Sequence, residues 1–368
     1  MNIQIETTQL QHALDTVSRA ATSKIANNDD LGIFFSAHDQ CLEIEATDYI
    51  IGIHVTVPAT VIESGDIVIR APYLIDLVKK FSDDTVTIHT AKEKVVTVSC
   101  GKSENDLVMG MASEFPRLET LDQTQTAVLP SDQLKDMYQQ TRFAVGGDNQ
   151  RAIFTGILLE AEGRRARMVA TDTHRLACRD VELEQEMARP VSLVIPEKVW
   201  ADLIRLLPTD EVINVTIHWF RSKVAFSFGQ VYFIASLIEG EFPDYRRVFP
   251  STFQAKAVID RRAFTAALER ASLIARNMTY RTVTLKWSDG QLETSVMSAE
   301  YGSMEETIPC QYEGEPLDIV FNCFYLLDIL KHSYGDTVTL HMLPNGPMLV
   351  EQEQDELYRY IVTPMRGN

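Results

Sequence analysis

The sequence predicts an α+β chain made of three tandem copies of one domain, each with two helices and several short strands. Three observations carry that expectation. Thr85-Val86-Thr87-Ile88-His89 returns as Asn214-Val215-Thr216-Ile217-His218 and again as Thr337-Val338-Thr339-Leu340-His341. An apolar stripe at helical spacing precedes each copy of the phrase, and a second such stripe opens each third of the chain. The copies lie 129 and 123 residues apart, a period that marks triplication of a whole domain rather than stacking of short units.

In the first third, Leu10, Ala13, Leu14 and Val17 give residues 8–22 one apolar face. Leu74, Leu77, Val78 and Phe81 stripe a second helix within 70–81, where Pro72 suits the first turn. A polar turn then leads into the repeated phrase, whose alternation is that of a strand, and Val95–Cys100 reads as another. In the second third, Ser131 is the candidate cap of a helix over 132–143 that carries Leu134, Met137 and Tyr138. Trp200, Leu203, Ile204 and Leu207 stripe 196–206 behind Pro196, and Val224–Phe228 reads as a strand.

In the last third, Asp260 caps 261–275, with Phe264, Ala267, Leu268 and Ala271 on one face. Asn322 starts 321–334, where Leu326, Ile329 and Leu330 form the stripe and Ser333 closes it weakly. Ile361–Thr363 is a final strand. Each third ends on an apolar residue near a proline: Phe115-Pro116, Phe242-Pro243 and Val362-Thr363-Pro364. The polar stretches 117–127 and 244–256 are the expected linkers, giving domains 1–122, 123–250 and 251–368.

At 368 residues the chain is long enough for each domain to bury a core. No run of 18 apolar residues exists, so no membrane span is expected. The start, Met1 to Glu6, lacks the basic and apolar regions of a secretory signal. The five cysteines are odd in number and scattered, with no Cys-x-x-Cys pair. Neither a disulfide frame nor a zinc site is favoured; no metal or cofactor is expected, and a cytoplasmic location fits.

The formal charge of −18 argues against general nucleic-acid binding. The charge is nevertheless uneven. The helical segments 8–24, 70–81, 131–143, 196–206, 259–276 and 321–334 together carry +5, which leaves −23 on the rest. Lys79, Arg205 and Lys331 each stand five residues after the first stripe residue of their helix, about 140° from the buried face. One such cation is a solvated side chain; three at one phase suggest a shared basic surface.

Three further segments carry a family resemblance: Ala170-Thr171-Asp172-Thr173-His174-Arg175-Leu176-Ala177, Glu241-Phe242-Pro243-Asp244-Tyr245-Arg246-Arg247-Val248, and Ile361-Val362-Thr363-Pro364-Met365-Arg366. In this order, on a triplicated chain, they resemble the bacterial beta sliding clamps, the processivity subunits of DNA polymerase III. The resemblance covers the whole chain. It implies domains of the DNA-clamp fold, with two helices plus antiparallel sheets each, closing as a head-to-tail homodimer into a six-domain ring around double-stranded DNA. The lumen would then be lined by Lys24, Lys79, Lys80, Lys198, Arg205 and Lys331, with Asn149 and Gln150 on a loop that touches DNA. Loose phosphate contacts permit sliding, because topology rather than affinity prevents escape.

The resemblance also implies a pocket for short peptides of DNA polymerases, the clamp loader, mismatch-repair and other clamp-binding proteins. Carried onto this chain, it comprises Thr171, Thr173, His174, Arg175 and Leu176, then Pro243, Arg247 and Val248. The tail adds Ile361, Val362, Thr363, Pro364, Met365 and Arg366, and Arg151 and Phe154 lie nearby. Leu176, Val248, Ile361 and Met365 suit an apolar anchor, and Met adapts to varied partners. Arg151, Arg175, Arg247 and Arg366 suit polar or acidic groups. Thr173 stands where Gly or Ser is usual, and Thr363 where many members carry Met. At the implied dimer contact, Leu107 of the first domain meets Leu273 and Ile274 of the third. Asn105 replaces a common aromatic there, and Lys102 is placed to pair with Glu300, Glu305 and Glu306.

Enzyme readings are weaker. Gly101-Lys102-Ser103 has Val96 where a phosphate loop needs its first glycine. Asp172 and His174, on one face if their segment is a strand, leave a metal-dependent hydrolase or nuclease as the alternative, without a third ligand nearby in sequence. The preferred reading is a non-catalytic clamp.

Overall fold

A computed structural model describes residues 1–21, 32–92, 94–121, 125–147, 151–353 and 355–365. Six α-helices stand among these: α1 (Thr7–Ala21), α2 (Ala71–Val78), α3 (Ser131–Thr141), α4 (Glu197–Leu206), α5 (Arg261–Ala275) and α6 (Cys323–His332). The expected stripes are the buried faces. Leu10, Ala13, Leu14 and Val17 of α1, Leu134, Met137 and Tyr138 of α3, and Phe264, Ala267, Leu268 and Ala271 of α5 are all buried. So are Leu74 and Val78 of α2, Trp200 and Leu203 of α4, and Leu326, Ile329 and Leu330 of α6.

The helix ends differ in detail from expectation. Asp260 caps α5 through the Ala263 N–H, and Asn322 caps α6 through the N–H groups of Phe324 and Tyr325. Ser131 is not a cap. It is the first residue of α3, and its Oγ instead accepts the Ile213 N–H at 3.1 Å, tying the start of the helix to the loop before the Asn214 strand. The second helix, expected over 70–81, ends at Val78. The Lys80 and Phe81 N–H groups bond to Leu77 and Val78, the tighter spacing that closes a helix. The final strand runs Asp355–Val362, so Thr363 lies just beyond it, and residues 125–127 and 255–256 of the expected linkers are already strand.

The chain gathers into two units: Met1–Asp132 with Lys198–Leu237, and Gln133–Glu197 with Ile238–Asn368. The first unit holds one thirteen-stranded sheet and the second one of twelve strands, counted among the described residues. The middle third of the sequence is divided between them, because its strands extend the sheets of both neighbours. In the first unit Val231–Ser236 pairs antiparallel with Ile51–Pro58, in register from Val231 opposite Val55 to Ala235 opposite Ile51. In the second, Arg175–Glu182 pairs with Asp355–Val362, from Arg175 opposite Val362 to Arg179 opposite Tyr358. Each seam is a continuous backbone ladder, so neighbouring copies are joined by hydrogen bonds rather than by a flexible linker.

At each seam the same turn recurs. Thr47 Oγ1 donates to the Ile51 carbonyl at 2.8 Å and accepts the Tyr49 N–H at 3.0 Å. Asp48 Oδ1 accepts the N–H groups of Ile50 and Ile51 at 2.9 and 2.7 Å. In the second unit Thr171 Oγ1 donates to the Arg175 carbonyl at 2.7 Å and accepts the Thr173 N–H at 3.1 Å. Asp172 Oδ1 accepts the N–H groups of His174 and Arg175, both at 3.0 Å. The third residue of each turn has a left-handed backbone, Tyr49 at φ 69° and Thr173 at φ 76°. In both cases a Thr-Asp pair satisfies the turn's backbone groups locally, which is why the dipeptide repeats.

Two opposite effects on thermal stability follow. Asp172→Ala leaves two inward N–H groups without their acceptor and is expected to cost about 1–3 kcal/mol. Thr173→Gly removes a β-branched residue from a left-handed position and is expected to stabilise by about 1 kcal/mol. Calorimetry of the two variants beside wild type checks both signs; a lower melting temperature for Thr173→Gly would contradict the strain.

Candidate functional site

The turn Thr171–Arg175 and the last strand meet at a defined point in the second unit. Asp172 and His174 lie in the turn rather than in a strand, so the alternation that put both on one face does not apply. His174 offers its carbonyl to the Thr363 N–H at 2.9 Å and to the Thr363 Oγ1 at 2.9 Å. The Met365 N–H then bonds to the Val320 carbonyl at 2.8 Å. Thr363, Pro364 and Met365 are half-buried, and His174 and Thr173 are exposed. The tail therefore lies pinned along the turn. Arg366 lies outside the described residues.

Arg175 does not do what its position in the motif suggested. Its side chain is 10% exposed, with Nε on Asp172 Oδ2 at 2.9 Å and Nη1 on Asp328 Oδ2 at 2.5 Å. The guanidinium also lies 4.3 Å from the Tyr325 ring centre. Burial opposes its charge, but Tyr360, Asp328 and Asp172 more than offset this and raise its pKa. It is thus a structural cation joining the turn to α6, not a free hand for an acidic peptide group. The partners were missed in the sequence: Tyr325 and Asp328 stand at i and i+3, one face of α6, and that face receives Arg175 and stacks Tyr325 on His174.

The apolar members divide by depth. Phe154, Leu176 and Ile361 belong to one buried cluster with Ile153, Val169 and Tyr245, and Val362 is fully buried. They support the surface from beneath instead of forming it, a correction for Leu176 and Ile361 as direct anchors. Val248 is 43% exposed. Arg247 is exposed and held by Asp244 at 2.8 Å. Arg151 and Pro243 line an open cleft of about 740 Å³ with Glu160, Ser192 and Tyr245. There Tyr245 donates to Glu160 at 2.6 Å and Arg246 meets the same carboxylate at 2.8 Å. Burial, followed by that hydrogen bond, pushes the Tyr245 hydroxyl's pKa up.

The phased cations are all on the surface: the side chains of Lys79, Arg205 and Lys331 are 51%, 62% and 53% exposed. Lys80 and Lys198 are exposed as well, while Lys24, Asn149 and Gln150 lie outside the described residues. None of the three phased cations is without a nearby acid. Lys79 meets Asp15 of α1 at 3.4 Å and Lys331 meets Glu269 of α5 at 3.6 Å. Asp15 and Glu269 are each the ninth residue of their helix. The ninth residue of α3 is Gln139, and Arg205 turns instead to Asp202 of its own helix at 3.6 Å. The surface presents cations in a partly neutralised field, which weakens phosphate attraction without abolishing it.

Comparison with known proteins settles the family. Models of the N-terminal, central and C-terminal domains of the DNA polymerase III beta subunit match residues 1–119, 128–244 and 246–366. The chain belongs to the bacterial beta sliding clamp family. It is 29% identical to the beta sliding clamp of Staphylococcus aureus over 369 residues, 98% of this chain and 96% of that one. The Bacillus subtilis beta sliding clamp is also 29% identical, across the full length of both chains. The crystal structure of the Bacillus subtilis DNA polymerase sliding clamp matches with a TM-score of 0.95 over both whole chains. A Pseudomonas aeruginosa sliding clamp bound to griselimycin is 28% identical and matches at 0.92, again over both whole chains. As a sliding clamp, the protein is a non-catalytic processivity factor of DNA replication.

In clamp terms, the residues expected at the dimer contact lie on the strand Ser103–Gly110 and the turn before it in the first unit, and on the end of α5 and the hairpin around residues 300–306 in the second. In the first unit, the strand Ser103–Gly110 pairs through Ser103 to Val108 with Val95–Cys100 and, among the described residues, on its other side only at Met109 and Gly110. Leu107 is 8% exposed within its own chain, so the apolar side chain this strand presents outward is Val108, at 70%. Lys102 is exposed at the hairpin turn, as are Glu300 and Glu305 in the second unit, and Asn105 bonds back to Val98. Leu273 is 58% exposed and Ile274 half-buried. Glu306 is already engaged by Arg270, Nε to Oε2 at 2.8 Å, and is not free for Lys102.

The metal reading fails on the carboxylate it needs. Both Asp172 oxygens are occupied by the turn and Arg175. Among the described residues, one group with metal-like spacing is Glu43, Glu45 and His54. There Arg117 fills the place of an ion, donating to both Glu45 oxygens at 2.9 and 3.1 Å.

Arg175→Met should act on folding. Removing the cation takes the ion-pair partner from the mostly buried Asp172, which keeps its backbone N–H donors, and from the partly exposed Asp328, an expected loss of about 2 kcal/mol or more. Thermal unfolding measures it; unchanged stability with loss of partner binding would restore Arg175 as a contact residue.

Proposed function

We propose that two copies of this chain close head to tail into a ring around duplex DNA and tether the replicative polymerase to it. The carrying observation is the recurrence of one exposed cation, Lys79, Arg205 and Lys331, at one place in each of three like domains, 1–122, 123–250 and 251–368. In a chain of net −18, such a surface holds a phosphate backbone loosely while the rest of the molecule repels it. Lys24, Lys80, Lys198, Asn149 and Gln150 join it as DNA-facing residues. The ring closes through Lys102, Val108, Leu273 and Ile274, with Glu300 and Glu305 alongside.

Partners dock short peptides where the Thr171–Arg175 turn meets the tail. His174, Pro243, Arg247, Val248, Thr363, Pro364 and Met365 form the contact surface over the buried Leu176 and Ile361, and Arg366 is the further tail residue expected to take part. Polymerases, the clamp loader and mismatch-repair proteins are the expected users, in a cytoplasmic, nucleoid-associated setting. Thr363 hydrogen-bonds the tail to the turn, so this pocket yields less readily to a bulky side chain than one with an apolar residue there.

Loading onto nicked circular plasmid with a clamp loader tests the ring. The protein is expected to stay on the circle and to leave within seconds once the plasmid is linearised. Equal retention on both forms would point to ordinary binding. Leu273→Asp is expected to shift the light-scattering mass from dimer to monomer, with unchanged far-ultraviolet circular dichroism; a persistent dimer would move the contact elsewhere.

A further inference from the structure

We propose that ring closure sets two glutamates opposite each other, Glu104 of one protomer and Glu305 of the other, so that the closed ring works against a built-in repulsion and holds least firmly at low ionic strength. The inference rests on the head-to-tail reading above and adds the register and the charge of its closing seam. Two sheet edges lack a neighbour in the single chain. Among the described residues, Ser103–Val108 pairs only with Val95–Cys100, and Gly302–Pro309 only with Gln291–Ser298. Unpaired edges of this kind are templates for another strand. Each is also the repeat equivalent of a strand that is paired in a seam of the chain.

The repeat fixes the register. One row of cross-strand partners is Thr87, Ser99 and Glu104, starting from the third residue of the repeated phrase. Its equivalents are Thr216, Ser227 and Tyr232, then Thr339, Glu351 and Arg359. Glu104 therefore stands where Tyr232 and Arg359 stand. A second kind of row starts three residues before α2, α4 or α6. It runs through Val68, Phe34, Glu45 and His54 in the first copy, and through Val194, Leu158, Val169 and Cys178 in the second. In the third it runs through Val320, Thr284, Ser295 and Glu305. Glu305 therefore stands where His54 and Cys178 stand. In the seams within the chain, Tyr232 lies opposite His54 and Arg359 opposite Cys178. A third seam built alike between protomers puts Glu104 opposite Glu305.

The charges there do not complement each other. Both glutamates are exposed on the single chain, and strand alternation puts Asp106 on the face of Glu104. The row through the seam, Ser99, Glu104, Glu305 and Ser295, carries no cation. Lys102, diagonal to Glu305, is one cation against Glu104, Asp106 and Glu305. Arg270 is engaged by Glu306, and Lys286 by Glu293 at 2.5 Å. Like charges directly opposite weaken a strand pair. Backbone bonds and apolar contact hold the seam instead. Four residues along, Val108 takes the place of Ser236 and Thr363, so its N–H meets the Tyr301 carbonyl as theirs meet Ile50 and His174. Val108 and Tyr301, both exposed on the single chain, cover each other at that end. Salt screens the repulsion and leaves the apolar contact in place.

Subunit exchange between unlabelled and nitrogen-15-labelled protein, followed by native mass spectrometry in about 50 mM ammonium acetate, reads how firmly the ring is held. Glu104→Lys and Glu305→Lys should each slow exchange by about fivefold or more, because each turns the opposed pair into an attractive one. The two substitutions together should return the rate to within about twofold of wild type, because two lysines repel again. Raising the salt to about 500 mM should slow wild-type exchange by about threefold or more. General repulsion between chains of net −18 would instead make the double variant the slowest of all, and that result would overturn the opposed pair while leaving the ring intact. Single variants exchanging at the wild-type rate, or a wild-type rate that salt leaves unchanged or raises, would do the same. Monomers alone in every sample would overturn the ring itself.

Discussion

The structure depends on the backbone ladders that cross from one copy of the repeat to the next. Val231–Ser236 lies on Ile51–Pro58, and Asp355–Val362 lies on Arg175–Glu182. A register of five residue pairs fixes the joint in each case. Because a one-residue slip would turn every side chain to the opposite face, that register is tightly specified. It also decides what stands beside the turn: the strand leaving each seam continues past the same carbonyl, that of Ile50 or His174. A site assembled from segments distant in sequence thus inherits its geometry from the sheet and needs no mobile linker to form. Division of the middle third between the two units follows directly from these ladders.

The electrostatics obey the same repetition, with one departure. Helices α1 and α5 carry an acid at their ninth residue that meets the cation after α2 and on α6. Helix α3 has Gln139 there, and Asp202 serves Arg205 instead while also meeting Arg19 of α1 at 3.6 Å. Burial, the larger influence, raises the pKa of Asp202 against the opposing pull of Arg19, Lys198 and Arg205. The carboxylate that tempers Arg205 therefore also joins a helix of the first third to one of the second. For a ring that must slide, moderation of charge is an advantage: salt-dependent attraction to phosphates grows with each uncompensated cation. Trapping by closure removes the need for that attraction.

Much of the fold was legible because it rests on periodicity. Apolar stripes of 3.6-residue period placed all six helices, and the alternating Val-Thr-Ile/Leu-His phrase placed three equivalent strands, because burial enforces both patterns. The errors came where tertiary contacts outbid local preference. Ser131 has the chemistry of a cap, yet the Ile213 N–H claims its oxygen. Leu107 and Val108 are adjacent apolar residues on one strand, and which of them faces outward is settled by the sheet's register, not by composition. Arg175 was the least legible. An arginine in a recognition motif suggests an exposed contact, but its partner Asp328 lies 153 residues away, and nothing local in the sequence announces that pair.

The two Thr-Asp turns separate what the scaffold requires from what function can vary. Thr47 and Asp48 match Thr171 and Asp172 because their oxygens satisfy the turn's backbone, and nearly any change there costs folding energy. The next four positions make no such side-chain demand, and all four differ: Tyr49, Ile50, Ile51 and Gly52 against Thr173, His174, Arg175 and Leu176. One set floors its turn with a glycine under Leu118 and puts apolar side chains on the rim. The other floors it with a buried leucine, anchors it to α6 through arginine and puts a histidine on the rim. Duplication of a rigid backbone, followed by drift at the positions that the backbone leaves free, yields two differently shaped recesses from one turn. The left-handed residue gauges the same freedom: Tyr49 and Thr173 are both strained there, so neither turn has been optimised for stability alone.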